Sequence, residues 1–177
     1  MVKAKEMGKK RANRRTPAFP HLLVPIDFSD LSLQTLRFTR DSLQRDGAVL
    51  TLLYVVPADY GWLGIGREEL RELDASLQKQ AAGRLRQLAE ATFPRSKKVN
   101  LEIRVGRPGE EIVIAAQELD VDVIVLSRHS RRGFDRYLLG SVADRVARTA
   151  ACPVLLLPPE KLKRLPKQRS RRIVSKR

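Results

Sequence analysis

Two stretches of this chain carry polar residues where a ligand could be held. Pro25-Ile26-Asp27-Phe28-Ser29-Asp30 follows directly on an aliphatic run, and Ser127-Arg128-His129-Ser130-Arg131-Arg132-Gly133 follows another. Shortly after the second, Leu138-Leu139-Gly140-Ser141-Val142 opens a helical pattern. The first N–H groups of a helix lack partners within it and the helix dipole adds positive charge, so this start favours a phosphate. Arg128, Arg131 and Arg132 strengthen the same field. The Asp27 carboxylate can accept a hydrogen bond from a ribose hydroxyl or an adenine amine across the gap. These residues describe an anion pocket. A second reading of Asp27, as a cap of the first helix, stays open.

Other chemistry finds less support. His129 stands alone on a polar loop with no triad partners, which reads as a solvated side chain rather than a general base. His21 opens a strand and reads as structural. Gly61-x-x-Gly64-x-Gly66 does not have the dinucleotide-binding order of glycines. It reads as a lid or a plain loop, with Trp62 either covering a base or packing on the helix that follows. No metal-ligand spacing is present, so Mg²⁺ would arrive only with nucleotide phosphates.

The elements that must position these residues alternate along the chain. Five apolar runs read as strands: His21–Ile26, Val49–Val56, Val99–Val105, Val121–Leu126 and Pro153–Leu157. The third alternates apolar and polar residues and suits a sheet edge, whereas the fourth is almost wholly apolar and suits the centre. Between them lie helical patterns. The first is capped by Ser29 or Asp30, presents Leu33, Leu36, Thr39 and Leu43, and ends by Gly47. The second spans roughly 68–91 with Leu70, Leu73, Leu77, Ala81, Leu85 and Leu88 inward. The third begins at Pro108 with Ile112, Ala115, Ala116 and Leu119 on one face. The last carries Leu139, Val142, Ala143, Val146 and Ala150. Strands alternating with helices predict an α/β fold with right-handed crossovers and a parallel, doubly wound sheet. Ligands of such sheets sit beyond the carboxyl ends of the strands, where strand order reverses.

The formal charge of +15 over 177 residues suggests a nucleic-acid binder until it is divided. Residues 1–20 carry +6 and residues 160–177 carry +8, leaving 19 basic against 18 acidic residues in between. The basic character belongs to two tails, 1–20 and 160–177, expected to be disordered around one domain, 21–159. No apolar run approaches the length of a membrane helix. Pro17 and Pro20 follow Arg14-Arg15 at once, so no export signal is expected. The single cysteine, Cys152, reads as a small buried hydrophobe and is compatible with a cytoplasmic location.

Several pieces in fixed order make the chain resemble the universal stress protein family over residues 21–157. They are His21-Leu22-Leu23-Val24-Pro25-Ile26-Asp27-Phe28-Ser29, Gly106-Arg107-Pro108-Gly109-Glu110-Glu111-Ile112 and Val121-Asp122-Val123-Ile124-Val125-Leu126. The longest is Arg131-Arg132-Gly133-Phe134-Asp135-Arg136-Tyr137-Leu138-Leu139-Gly140-Ser141-Val142-Ala143, followed by Cys152-Pro153-Val154-Leu155-Leu156. The resemblance implies a five-stranded sheet of order 3-2-1-4-5, homodimerisation and, in one branch, bound ATP. That branch carries glycine, two residues, glycine, nine residues and Gly-Ser. Here Ser127 and Ser130 replace the two leading glycines, while Gly140-Ser141 and the spacing are kept. By the same resemblance Asp27 and the Val55 backbone would read adenine and ribose, with Pro25 packing nearby. Ser127, Arg128, His129, Ser130, Arg131, Arg132 and Gly133 would wrap the phosphates, and Gly140, Ser141 and Val142 would finish the cradle. In this strand order the fifth strand, apolar on both faces at Val154, Leu155, Leu156 and Leu157, lies at an edge and is expected to pair with its copy in a homodimer.

Four functions follow, in decreasing order of support. The first is a dimeric stress-response module binding ATP or ADP. The second is a dimeric interaction protein without a nucleotide, a reading the two serines favour. The third is a nucleic-acid-associated protein working through its tails. An enzyme comes last, since no base or nucleophile stands beside the phosphate loop.

Overall fold

A computed structural model describes residues 19–44, 47–58, 66–94, 98–128, 139–159 and 162. The elements are β1 (His21–Pro25), α1 (Asp30–Phe38) continued by a π-helical turn (Thr39–Leu43), β2 (Val49–Pro57), α2 (Arg67–Thr92), β3 (Val99–Gly106), α3 (Pro108–Glu118), β4 (Val123–Ser127), α4 (Ser141–Thr149) and β5 (Val154–Leu157). All strand pairs are parallel, and the sheet order is β3-β2-β1-β4-β5. Both the α/β architecture and the strand order agree with the sequence expectation.

Alternation along the strands divides the apolar residues between two cores. Leu22, Val24, Leu50, Leu52, Val123 and Val125 form one with Leu36 and Leu85, and therefore with α1 and α2. Leu23, Leu53, Val55, Ile124 and Leu126 form the other with Ile112, Ala115, Ala143 and Val146, from α3 and α4. Because β1, β2 and β4 are covered on both faces, they read as nearly unbroken apolar runs.

The helices differ from expectation in instructive places. Ser29, not Asp30, caps α1, its hydroxyl accepting from the Ser32 amide at 3.3 Å. The buried face of α1 is Ser32, Thr35, Leu36 and Thr39 rather than one including Leu33. The helix backbone accepts from two of these hydroxyls: Ser32 Oγ donates to the Ser29 carbonyl at 3.0 Å and Thr39 Oγ1 to the Thr35 carbonyl at 2.9 Å, while Thr35 Oγ1 is buried without a partner among the described residues. In α2 only Ala81 and Leu85 of the expected inward residues are fully buried, while Leu70, Leu73, Leu77 and Leu88 are half-buried. Leu139 precedes α4 and is 40% exposed, so it is not part of the inner face. The packed region also reaches past 21–159. Phe19 packs on the α1/α2 core and Leu162 is buried in it, its amide donating to the Pro158 carbonyl at 3.3 Å.

Two glycines fix how α3 meets its neighbours. Gly106 ends β3 at φ +153°, and a Cβ there would lie 2.7 Å from Glu111 Oε1. Gly109, buried in the first turn of α3, lets α4 approach so closely that a Cβ would lie 2.9 Å from Arg145 Cγ and 3.0 Å from its Cβ. The β3 side of α3 is held by Arg104, whose guanidinium reaches Glu118 at 2.6 Å and Glu102 at 3.2 Å. A larger side chain at 109 must therefore wedge α3 from α4. Gly109→Val is expected to cost about 1–3 kcal/mol, the usual range for overpacking, and to lower the midpoint of thermal unfolding measured by circular dichroism.

Candidate functional site

The switch point lies between β1 and β4. From β1 the chain winds through α1 and α2 on one face; from β4 it winds through α4 on the other. The carboxyl ends of these neighbours therefore open a crevice. A cleft of about 460 Å³ lies there, lined by Pro25, Ile26, Asp27 and Ser32, by Leu53, Tyr54, Val55 and Pro57 of β2, by Pro108 and Ile112 of α3, and by Leu126, Ser127, Gly140, Ser141, Val142 and Ala143. Of the residues expected from sequence, Pro25, Asp27, Val55, Ser127, Gly140, Ser141 and Val142 come together on it. Arg128 is the residue after β4 and is not a lining residue. His129, Ser130, Arg131, Arg132 and Gly133 lie outside the described residues, as does Trp62.

Val55 presents its backbone to the cleft for a reason visible in the ladder. Along a strand, successive residues point their amide and carbonyl groups to opposite sides. The Leu53 carbonyl accepts from the Ile26 amide at 2.7 Å, toward β1, while the Leu50 amide donates to the Lys98 carbonyl at 2.9 Å, toward β3. Val55 therefore faces the β1 side. There β1 has already ended, its last pair being Pro25 with Leu53, while β2 continues beside β3 to Pro57. The Val55 amide and carbonyl thus border the cleft, an arrangement that suits the edge of a base.

Asp27 lies just past β1 in a tight polar turn. Its Oδ1 accepts from the Ser29 amide at 2.9 Å and the Ser29 hydroxyl at 2.5 Å, and the Asp27 amide donates to Ser32 Oγ at 3.4 Å. Capping of α1 is the work of Ser29, and Asp27 orients Ser29 while lining the cleft. The reading of Asp27 as the cap of the first helix is therefore not borne out. On the opposite wall, Gly140 caps α4 at φ −61°, with no side chain to satisfy the first amides of the helix. The Gly140 amide donates to the Arg128 carbonyl at 3.0 Å, and the Arg128 amide to the Leu157 carbonyl at 3.0 Å. These bonds tie the start of α4 to the ends of β4 and β5. Ser127 itself is the last residue of β4, in register with Leu157, and its φ is not positive. A serine therefore replaces glycine there without backbone strain.

Sequence reasoning missed Ser32, Tyr54, Pro57, Pro108 and Ile112 as walls of this site. For Ser32 the available signal was its position one turn beyond Asp27. Pro108 and Ile112 arrive through the α3–α4 contact, which no local pattern announces. Cys152 is half-buried beside the α3/α4 core; burial pushes its thiol up from the usual range, although backbone amides of Cys152 and Ile124 pull it down. The side chain was expected to be buried, and the structure buries it only in part. Among the described residues no cluster of three or more metal-ligating side chains exists, and no helix is long and apolar enough to cross a membrane.

Comparison with known proteins gives a consistent result. The family model described as "Universal stress protein family" matches residues 18–158. Universal stress protein MJ0531 of Methanocaldococcus jannaschii is 32% identical over 143 residues, covering 78% of this chain and 82% of that protein. The solved structure of protein MJ0577 from the same organism superposes with a TM-score of 0.67 at 28% identity, covering 77% of this chain and 94% of the other. Universal stress protein UspA of Lactobacillus plantarum does so with a TM-score of 0.65 at 28% identity, covering 77% and 96%. With the strand order, the family model and these relatives in agreement, the chain belongs to the universal stress protein family.

Proposed function

We propose that this protein binds an adenine nucleotide, ATP or ADP, in the switch-point cleft and acts as a dimeric binding or regulatory module of the stress response. The observation that carries the reading is the meeting of Asp27, the Val55 backbone and the Gly140–Val142 start of α4 around one cleft of about 460 Å³. Apolar walls from Val55, Ile112 and Leu126 suit a base. The exposed backbone edge of Val55 suits its hydrogen-bonding face, and Asp27 suits the ribose hydroxyls or the adenine amine. The start of α4 suits phosphates, with Ser127 at its side. Mg²⁺ would enter with the phosphates rather than on a protein site.

Titration calorimetry of ATP into the purified protein tests this directly. Asp27→Ala is expected to weaken binding by about 1–3 kcal/mol, tenfold or more, as for a lost hydrogen bond to a charged group. Absence of heat at millimolar ATP in the unaltered protein would overturn the nucleotide reading and leave the nucleotide-free interaction module in its place.

The assembly follows from an edge. β5 is the last strand of the sheet, and its residues Val154, Leu155 and Leu156 are only half-buried in the single chain. An apolar edge strand invites pairing, and a two-fold copy satisfies it without leaving a further edge. Sedimentation velocity at micromolar concentration is expected to give twice the chain mass of 20.1 kDa, and a monomer would refute this interface.

The basic ends form a separate proposal, a weak and salt-dependent contact with polyanions outside the folded domain. Since Phe19 and Leu162 belong to the packed core, the trimming that tests it removes 1–18 and 163–177. Retention on immobilised RNA should then be lost while ATP affinity is unchanged; RNA retention by the trimmed protein would contradict it.

A further inference from the structure

Phe28 lines no part of the cleft, yet it has the most constrained backbone next to it. It sits between Asp27 and Ser29 at φ +59°, in the left-handed region that side chains with a Cβ rarely adopt. Its ring meets side chains of two other elements. Tyr54 of β2 lies at 5.2 Å between centroids with planes tilted by 43°, and the Arg84 guanidinium of α2 stands 4.0 Å over the ring centroid. Tyr54 is the residue before Val55 and itself lines the cleft. One aromatic contact therefore joins the turn that carries Asp27 to the strand end that carries Val55, and a cation from a third element closes over it.

We infer that Phe28 is the positioning residue of this site: its ring, packed against both Tyr54 and Arg84, fixes the left-handed turn in which Ser29 orients the Asp27 carboxylate. The inference rests on the nucleotide reading only for its effect on affinity. Without these contacts nothing ties position 28 to the left-handed region, and the turn samples other conformations. The Ser29 amide and hydroxyl, 2.9 and 2.5 Å from Asp27 Oδ1, then lose their common acceptor. Asp27 then loses two of the donors that hold it beside the cleft. Arg84 is exposed on α2, far from the cleft in sequence, and gives that helix a hold on the geometry of the site.

Phe28→Gly removes the ring while suiting the left-handed backbone, so it tests these contacts rather than added strain. Hydrogen exchange of the nucleotide-free protein is the first readout. The Ser29 amide is expected to exchange about tenfold faster or more in Phe28→Gly, while the Leu23 and Val24 amides in the sheet stay as protected as before. Calorimetry with ATP is the second. Phe28→Gly should weaken ATP by roughly tenfold in the otherwise unaltered protein and by less than about twofold in the Asp27→Ala background, because the ring acts through Asp27. Arg84→Gln, on an exposed position that leaves the core untouched, should give the same pattern at smaller size. Equal losses in both backgrounds, or an unchanged Ser29 exchange rate, would overturn the inference. Should the unaltered protein not bind ATP, the nucleotide reading fails by itself and the Ser29 exchange still decides the role of Phe28.

Discussion

β1 and β4 lie side by side in the middle of the sheet with no direct connection between them, and the site depends on that adjacency. Right-handed crossovers carry the chain from β1 toward β3 on one face and then, after α3, from β4 to β5 on the other. At their carboxyl ends the two strands therefore release their following segments to opposite faces, which leaves a gap among the described residues. The cleft is a consequence of winding. What the sequence adds is the chemistry of its rim: a carboxylate after β1, a hydroxyl at the end of β4 and an uncapped helix start after it. β2 overruns β1 far enough to leave the Val55 backbone without a strand on that side.

Energetics at the rim explain how so unusual a turn survives. A left-handed conformation at a residue with a Cβ costs about 1–2 kcal/mol. An aromatic pair contributes about 0.5–1.5 kcal/mol beyond its burial, and an exposed cation over a ring about 0.5–1 kcal/mol. These terms are of the same size, so the Phe28 contacts are sufficient to offset the backbone cost. Ser29 gains as well, since it serves both as donor to Asp27 and as the cap of α1. A polar turn that would otherwise sample several shapes is reduced to one.

Much of the fold was legible because burial on both faces writes itself as unbroken apolar runs, and because Pro108 and Gly140 punctuate the helices they begin. The boundaries that moved did so for tertiary reasons. Leu139 has the spacing of an inner-face residue, but the Gly140 amide bonds to the Arg128 carbonyl and the helix starts only after it. Leu33 lost its place on the buried face to Ser32 and Thr35, small residues beside β4 whose type argues against burial. Leu162 looks like part of a basic tail, and only packing reveals that it is core. Of the site, the residues adjacent in sequence to strand ends were readable. The walls supplied by Tyr54, Pro108 and Ile112 were not, since their arrival depends on strand register and on Gly109 letting α3 and α4 close. The left-handed turn at Phe28 was equally hidden, because phenylalanine is a poor marker for positive φ.

Charge at the cleft also depends on local pairing rather than on the total. Residues 21–159 are almost neutral, so the net positive charge of the chain comes from its two ends and not from the domain that holds the cleft. Glu110 and Glu111 stand in the first turn of α3, directly after the cleft-lining Pro108, where they complement the dipole of that helix but would oppose a phosphate at the start of α4. Their charges are answered in place. Arg107 and Arg145 approach Glu110 at 3.7 and 3.6 Å, and Arg104 approaches Glu111 at 3.9 Å. The two Glu110 pairs are solvent-exposed and add little to stability. The three pairings partly neutralise the acidic turn of α3, which lessens its opposition to an anion at the start of α4.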